Sequence, residues 1–311
     1  MKKFFLFFLL ITSPLRAAEV VCSNNYSYLV FDVESREVLS EKRAEKILYP
    51  ASLTKLMTLY LVFDSLRKNK LKLDQTLKFS AYGAEVSKVN KINTLRVKEG
   101  DKITVRQAIE SVILKSYNEA AVVLAEAVAG DEWRFVRLMN KKAKELGMDN
   151  TSFRNSTGLH EDGQYTTSYD MARLVVAIKK KFPEYYNFFA QKKFKYRGEE
   201  YETSNKIILE YEGAEGMKTG FTKAAGYNLI SVAKRGSNRI SSVVMSCADT
   251  QKRYLLTREL LDEGFEVAES QNLFAKKIAP RIDYSILWLD TRQRRHHCCL
   301  NLVEESLSPE L

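Results

Sequence analysis

The chain has 311 residues, of which 45% are apolar and 28% charged, with a formal net charge of +10. That is the composition of an ordinary folded protein, which excludes disorder throughout, collagen-like repetition and a polytopic membrane protein. The length sets a soft prior of two domains. The positive balance suits an anionic surface or substrate without choosing one, and four cysteines and three histidines are too few for a disulfide scaffold or a histidine-rich metal site.

Met1-Lys2-Lys3 is a basic start, followed by the apolar run Phe4 to Ile11, then Thr12, Ser13, Pro14 and the small pair Ala17-Ala18. This is the layout of a secretory signal peptide, which we place at residues 1–17. The run is too short to cross a hydrocarbon core, which takes roughly 20 residues. Val21 before Cys22 is bulky where a lipid-attachment signal wants a small residue. Export to an oxidising compartment makes a Cys22–Cys247 bridge feasible, whereas one between adjacent Cys298 and Cys299 would be strained.

In the mature chain, Tyr26 to Val33 alternates as a strand, and Glu37 to Ser40 returns after a turn. Leu53, Leu56, Met57, Tyr60, Phe63 and Leu66 recur at helical spacing, so a helix begins near Ser52. Thr104 with Gln107 is a capping box opening a helix to about Leu114. Ser116 to Val128 is apolar on nearly all sides, as in a buried helix, and ends at Gly130. Asp131 to Leu146 is amphipathic and stops at Gly147, and Thr167 with Asp170 opens another helix to Lys181. Ala225 to Lys234 and Arg239 to Cys247 form a hairpin, and Asp249 to Gly264 closes with a helix. Strands at both ends with helices between them predict an α+β domain, an antiparallel sheet flanked by helices with an inserted all-helical subdomain.

Three short motifs carry chemistry. In Ser52-Leu53-Thr54-Lys55, positions i and i+3 share a helical face, so a hydroxyl and an amine that could deprotonate it can meet. Such pairs arise easily: Ser65/Lys68 and Ser231/Lys234 repeat the spacing. In Ser116-Tyr117-Asn118 the bland alternative is an N-cap serine. In Lys218-Thr219-Gly220 it is a turn or edge strand with a solvated lysine.

All three occur in the order found in serine acyl-transferases that react with penicillin. With Tyr49-Pro50-Ala51-Ser52-Leu53-Thr54-Lys55, Asn118-Glu119-Ala120-Ala121, Asn155-Ser156-Thr157-Gly158-Leu159 and Gly216-Met217-Lys218-Thr219-Gly220-Phe221-Thr222, residues 25 to 265 resemble the D-alanyl-D-alanine carboxypeptidases, the low-molecular-mass penicillin-binding proteins. The resemblance implies a β-lactamase/transpeptidase-like fold spanning 18–265. It implies Ser52 as nucleophile, Lys55 as acylation base and Ser116 as proton relay. Asn118 would hold the substrate amide. Lys218 and Thr219, with Gly220 allowing close backbone approach, would face a terminal carboxylate. The N–H groups of Ser52 and Phe221 would form the oxyanion hole. Arg253 would be a second carboxylate-facing cation, although alone it reads as a helix-surface arginine. For Lys55 to act as base its pKa must fall, and burial and the nearby Lys218 cation would both push it down.

The implied partners are a peptidoglycan stem peptide as substrate and β-lactam antibiotics as covalent inhibitors, with no cofactor, no metal and no nucleic acid. The implied location is the periplasm or extracytoplasmic envelope. Tyr117 stands where the family more often has a small residue, which would alter the pocket edge. Residues 266–311 are too few for the family's further β-rich module, and Pro280 interrupts the apolar stretch near Ile282 to Leu289, so peripheral inner-membrane contact through this tail is unsupported. Arg292 to Cys299 lacks the ligand gaps of a zinc site and reads as a poorly ordered basic tail. A penicillin-sensitive endopeptidase shares the motifs. A β-lactamase would want a Glu-x-x-Leu-Asn between Asn155 and Lys218, which is missing. An inactive peptidoglycan-binding protein would not need the complete motif set.

Overall fold

The structure, a computed structural model, describes residues 22–89 and 94–278. The leader, Pro280, Ile282 to Leu289 and Arg292 to Cys299 lie outside the described residues. The described residues up to Glu269 form one compact unit, and those from Ser270 to Ile278 belong to another; the candidate site lies entirely in the first.

The first strands, β1 (Ser27–Asp32) and β2 (Val38–Lys42), form the expected hairpin. A 3₁₀ turn at Ala51–Thr54 leads into α1 (Lys55–Arg67), apolar on nearly every face and buried over most of its length. There follow β3 (Thr76–Lys78), α2 (Ala81–Val89), β4 (Lys102–Thr104), α3 (Val105–Leu114), α4 (Asn118–Ala129), α5 (Glu132–Glu145), α6 (Ser168–Lys181) and α7 (Pro183–Tyr186). A ribbon of β5 (Lys193–Tyr196) and β6 (Glu199–Glu202) and a short α8 (Lys206–Glu210) precede β7 (Ala214–Thr222), β8 (Gly226–Arg235), β9 (Asn238–Cys247) and α9 (Thr250–Ile278).

Helix starts at Thr104 and Thr167 follow the cap chemistry read from the sequence, and Asp131 adds a cap of the same kind. Thr104 Oγ1 accepts from Gln107 N at 3.2 Å while Gln107 Oε1 accepts from Thr104 N at 3.1 Å. Asp131 accepts from Arg134 N at 2.7 Å, and Thr167 Oγ1 from Asp170 N at 3.0 Å.

The five-stranded sheet has the order β2-β1-β9-β8-β7, every pair antiparallel. The first and late strands therefore share one sheet, with Ser27 opposite Met245. Alternation splits the side chains between two cores. Leu29, Phe31, Val243 and Met245 join the cluster containing α1, α4 and α6. Val30, Ile240 and Val244 face Leu256, Leu260, Leu261 and Phe265 of α9. The insert is helical apart from the two short ribbons β3–β4 and β5–β6.

Gly264 does not end the last helix, which continues to Ile278. A Cβ there would lie 2.6 Å from Ile240 Cγ2 and 2.9 Å from Val30 Cγ1. The glycine is where α9 lies closest on the sheet, a packing demand and not a cap. Cys22 and Cys247 are bonded, across a sequence separation of 225 residues. Replacing both with serine should lower stability by about 2–4 kcal/mol through loss of this long-range link. The check is the urea midpoint of the double variant, and an unchanged midpoint would rule that role out.

Candidate active site

Three segments meet at the end of the sheet where β7 is the outer strand. The 3₁₀ turn places half-buried Ser52 one turn before Lys55, whose side chain is 0% exposed. Lys55 Nζ is 3.1 Å from Ser52 Oγ, 2.7 Å from Asn118 Oδ1 and 2.5 Å from the Thr157 carbonyl oxygen. A neutral amine has two N–H bonds and one lone pair. The amide and backbone oxygens take the two N–H bonds, which leaves the lone pair facing the serine hydroxyl. Burial pulls the Lys55 pKa down from 10.5 to about 7, against the opposing charges of Glu119 and Glu132.

Lys55 and Lys218 repel each other, so each disfavours the other's charged form. Burial lowers Lys218 well below its ordinary range, and the charges of Lys55 and Arg253 lower it further. Lys218 is not solvated as an edge-strand lysine would be: it is 1% exposed and donates to the Thr219 carbonyl at 2.8 Å.

Arg253 is not a helix-surface arginine. It is buried, stacks on Tyr254 with 4.4 Å from guanidinium carbon to ring centroid, and donates to the Asn228 carbonyl at 3.2 Å. The cleft encloses about 330 Å³, bounded by Ser52, Ser116, Asn118, Thr219, Phe221 and Arg253, with no Asp or Glu in its lining. A larger cleft of about 430 Å³, around Phe31, Val38 and Tyr169, holds none of the motif residues.

Ser116 is not an N-cap. Helix α4 starts at Asn118 with Tyr117 as its cap residue, and Ser116 sits before it at φ 62°. Its Oγ is buried without a hydrogen-bond partner. Tyr117 does not alter the pocket edge: its ring is buried and packs edge-on against Tyr201 at 6.3 Å.

Gly220 backs Ser52, since a Cβ there would stand 3.2 Å from Ser52 N and 3.3 Å from Leu53 N. Phe221 is 49% exposed and stacks on Tyr227 with ring centroids 4.3 Å apart.

Several supporting groups were not singled out by sequence reasoning. The Thr157 carbonyl is aimed at Lys55 by its loop. Asn155 Oδ1 accepts from Gly158 N at 2.7 Å, Thr58 donates to the Ser156 carbonyl at 2.7 Å, and the Glu132 carboxylate accepts from Ser156 N at 2.6 Å. Asn228 donates to the Tyr49 and Pro50 carbonyls at 3.0 Å each and accepts from Ser246 N at 2.8 Å, tying the segment before Ser52 to β8 and β9. Glu119 accepts from Leu95 N at 2.5 Å. Asn155 falls in one of the segments that carry the resemblance to the family, and Asn228 within the resembling stretch 25–265, which was the available signal. Among the described residues, no group of three His, Cys, Asp or Glu could hold a metal ion, and no helix is long and apolar enough to cross a membrane.

An antiparallel sheet with helices on both faces and a Ser–Lys pair at its edge defines a class of serine acyl-transferases. This chain belongs to the D-alanyl-D-alanine carboxypeptidase family, whose sequence model matches residues 16–249. It is 33% identical over 259 residues to the D-alanyl-D-alanine carboxypeptidase DacF of Bacillus subtilis, covering 80% of this chain and 64% of that one. It is 35% identical over 247 residues to DacC of Escherichia coli, covering 78% and 62%. The chain thus spans less than two thirds of either relative's length. A D-alanyl-D-alanine endopeptidase of Pseudomonas aeruginosa is 31% identical over 226 residues, covering 70% of each chain. Among solved structures, a penicillin-binding protein of Listeria monocytogenes in its ampicillin-bound form superposes with TM-score 0.68 at 30% identity, covering 80% of this chain and 98% of that one.

Proposed function

We propose that this protein is a serine-type D-alanyl-D-alanine carboxypeptidase that removes the terminal D-alanine from peptidoglycan pentapeptide stems. The observation that carries this reading is the Lys55 amine, fully buried, titrating near 7 and 3.1 Å from Ser52 Oγ. An amine of that pKa is a competent base at neutral pH.

Ser52 Oγ attacks the carbonyl between the two D-alanines as Lys55 takes its proton. The oxyanion lies between the N–H groups of Ser52 and Phe221. Collapse expels D-alanine, with a proton relayed through Ser116, whose unpartnered hydroxyl is free to accept and pass it. Asn118 holds the substrate amide. The substrate's terminal carboxylate supplies the counter-charge that buried Lys218 and Arg253 lack, with Thr219 and Gly220 beside it. Water then releases the acyl-enzyme as a tetrapeptide. A β-lactam acylates Ser52 in the same way, as a covalent inhibitor. Residues 1–17 serve as export leader, 18–265 as the catalytic domain acting on the cell-wall side, and 266–311 as a tail with a basic stretch at Arg292 to Arg295.

The test is incubation of the purified protein with labelled benzylpenicillin and with a pentapeptide stem, beside Ser52→Ala. Covalent label and free D-alanine are expected from the parent protein and neither from the variant. No label on the parent overturns the acyl-enzyme mechanism. The similarity to an endopeptidase supports a second reading, cleavage of cross-links. Label with release from cross-linked dimers, but not from pentapeptides, would favour it.

A further inference from the structure

Strand β7 is the outer strand of the sheet, and its direction orders the substrate. On the carboxypeptidase reading, which this inference rests on, the terminal carboxylate lies at Lys218–Thr219 and the reacting carbonyl at the N–H of Phe221. A stem peptide laid along this edge therefore runs from Thr219 past Phe221 toward Lys223. β7 ends at Thr222 and Lys223 opens the turn into β8, two residues past Phe221, on the side of the residue before the reacting D-alanine.

At that point a second depression, of about 530 Å³, opens beside the catalytic cleft. The stacked pair Phe221 and Tyr227 lines both and forms the ridge between them. Its remaining lining includes Ser23, Asn24, Asn25 and Lys223, with no Asp or Glu. Lys223 is exposed and, among the described residues, has no carboxylate partner. Behind the depression the charge is again positive: Lys46 Nζ donates to Asn25 Oδ1 at 2.9 Å and Arg43 to the Asn24 carbonyl at 2.5 Å. Cationic groups without acids in the lining, placed upstream on the substrate's path, favour an anionic group there.

We infer that Lys223 and this depression form a subsite for a free carboxylate on the third residue of the stem, making Lys223 a specificity-determining residue. Two pentapeptides ending in D-alanyl-D-alanine test this. One carries meso-diaminopimelate with its side-chain carboxylate free, the other the same residue amidated. Each is titrated calorimetrically into Ser52→Ala protein, with and without Lys223→Gln or Lys223→Glu.

The free carboxylate should bind about fivefold more tightly than the amide, as an exposed ion pair provides. Lys223→Gln should abolish the preference and Lys223→Glu reverse it. In the Ser52 background, the rate of benzylpenicillin labelling should stay within about twofold for both Lys223 variants, because penicillin has no third stem residue. Equal affinities in the starting protein, a preference that survives in Lys223→Glu, or no binding of either peptide overturns the subsite. Preferential binding by a protein that releases no D-alanine from the bound peptide would overturn the carboxypeptidase reading and leave the subsite standing.

Discussion

Lys55→Met is expected to slow acylation of Ser52 by benzylpenicillin by about 10²–10⁴-fold, the range lost with a general base. In the parent the acylation rate should rise about tenfold per pH unit below 7 and level off above it, because the neutral amine is the active form and titrates near 7. The variant should show no such inflection. Stability carries the same signature with a definite sign. The folded protein releases the Lys55 proton near 7 and the unfolded chain only near 10.5. Between those values the unfolded state binds one more proton, so raising the pH favours the folded state. The difference in proton affinity corresponds to about 5 kcal/mol. The parent should therefore gain stability relative to Lys55→Met between pH 7 and 10, and be at its greatest relative disadvantage below 7. Urea midpoints of the two proteins measured across that range would decide it, and a constant difference would sink the account of a base kept neutral by burial.

Gly158→Ala is expected to cost at least about 100-fold in acylation although it removes neither the Ser52 hydroxyl nor the Lys55 amine. At φ 79° the residue is in the left-handed region, and an added Cβ would lie 1.9 Å from the Ala51 carbonyl oxygen. Either the turn bearing Ser52 or the loop bearing the Thr157 carbonyl has to move. A displacement near 1 Å between reacting groups is enough for a loss of that size. The left-handed backbone adds about 1–2 kcal/mol of strain. Labelling rate and melting temperature separate the two effects, and a variant that melts lower yet acylates at the parent rate would show that the contact only supports the fold.

The helices of this protein were legible because their signals are local. Thr104, Asp131 and Thr167 hold their caps, and the apolar faces of α1 and α4 are written in runs of consecutive residues. Ser52 and Lys55 were legible as a pair at helical spacing, and Ser116, Asn118 and Lys218 only by their joint resemblance to a family. What escaped notice depends on contacts between distant segments. The acceptor that orients Lys55 is a backbone carbonyl at Thr157, and a carbonyl has no residue type to recognise. Arg253 reads as surface because its burial depends on Tyr227 and the Asn228 carbonyl, both on another element. The opposing pull of Glu119 and Glu132 on Lys55 was not legible either, because both carboxylates come from other segments of the chain. Gly264 has the composition of a helix stop, and only the closeness of Val30 and Ile240 shows why it continues.

The pairing of β1 with β9 sets an order of events in biosynthesis. Tyr28, Leu29 and Val30 leave the ribosome early, yet their partners Val244, Val243 and Ser242 are among the later residues of the same domain. At about 5–20 residues per second, β1 waits roughly 10 to 40 seconds for a neighbour. The central position of the sheet stays vacant through that interval, so the turn bearing Ser52, which Asn228 fastens to β8 and β9, is assembled last. On the proposed function, the site therefore cannot act on anything the chain meets while it is still being made.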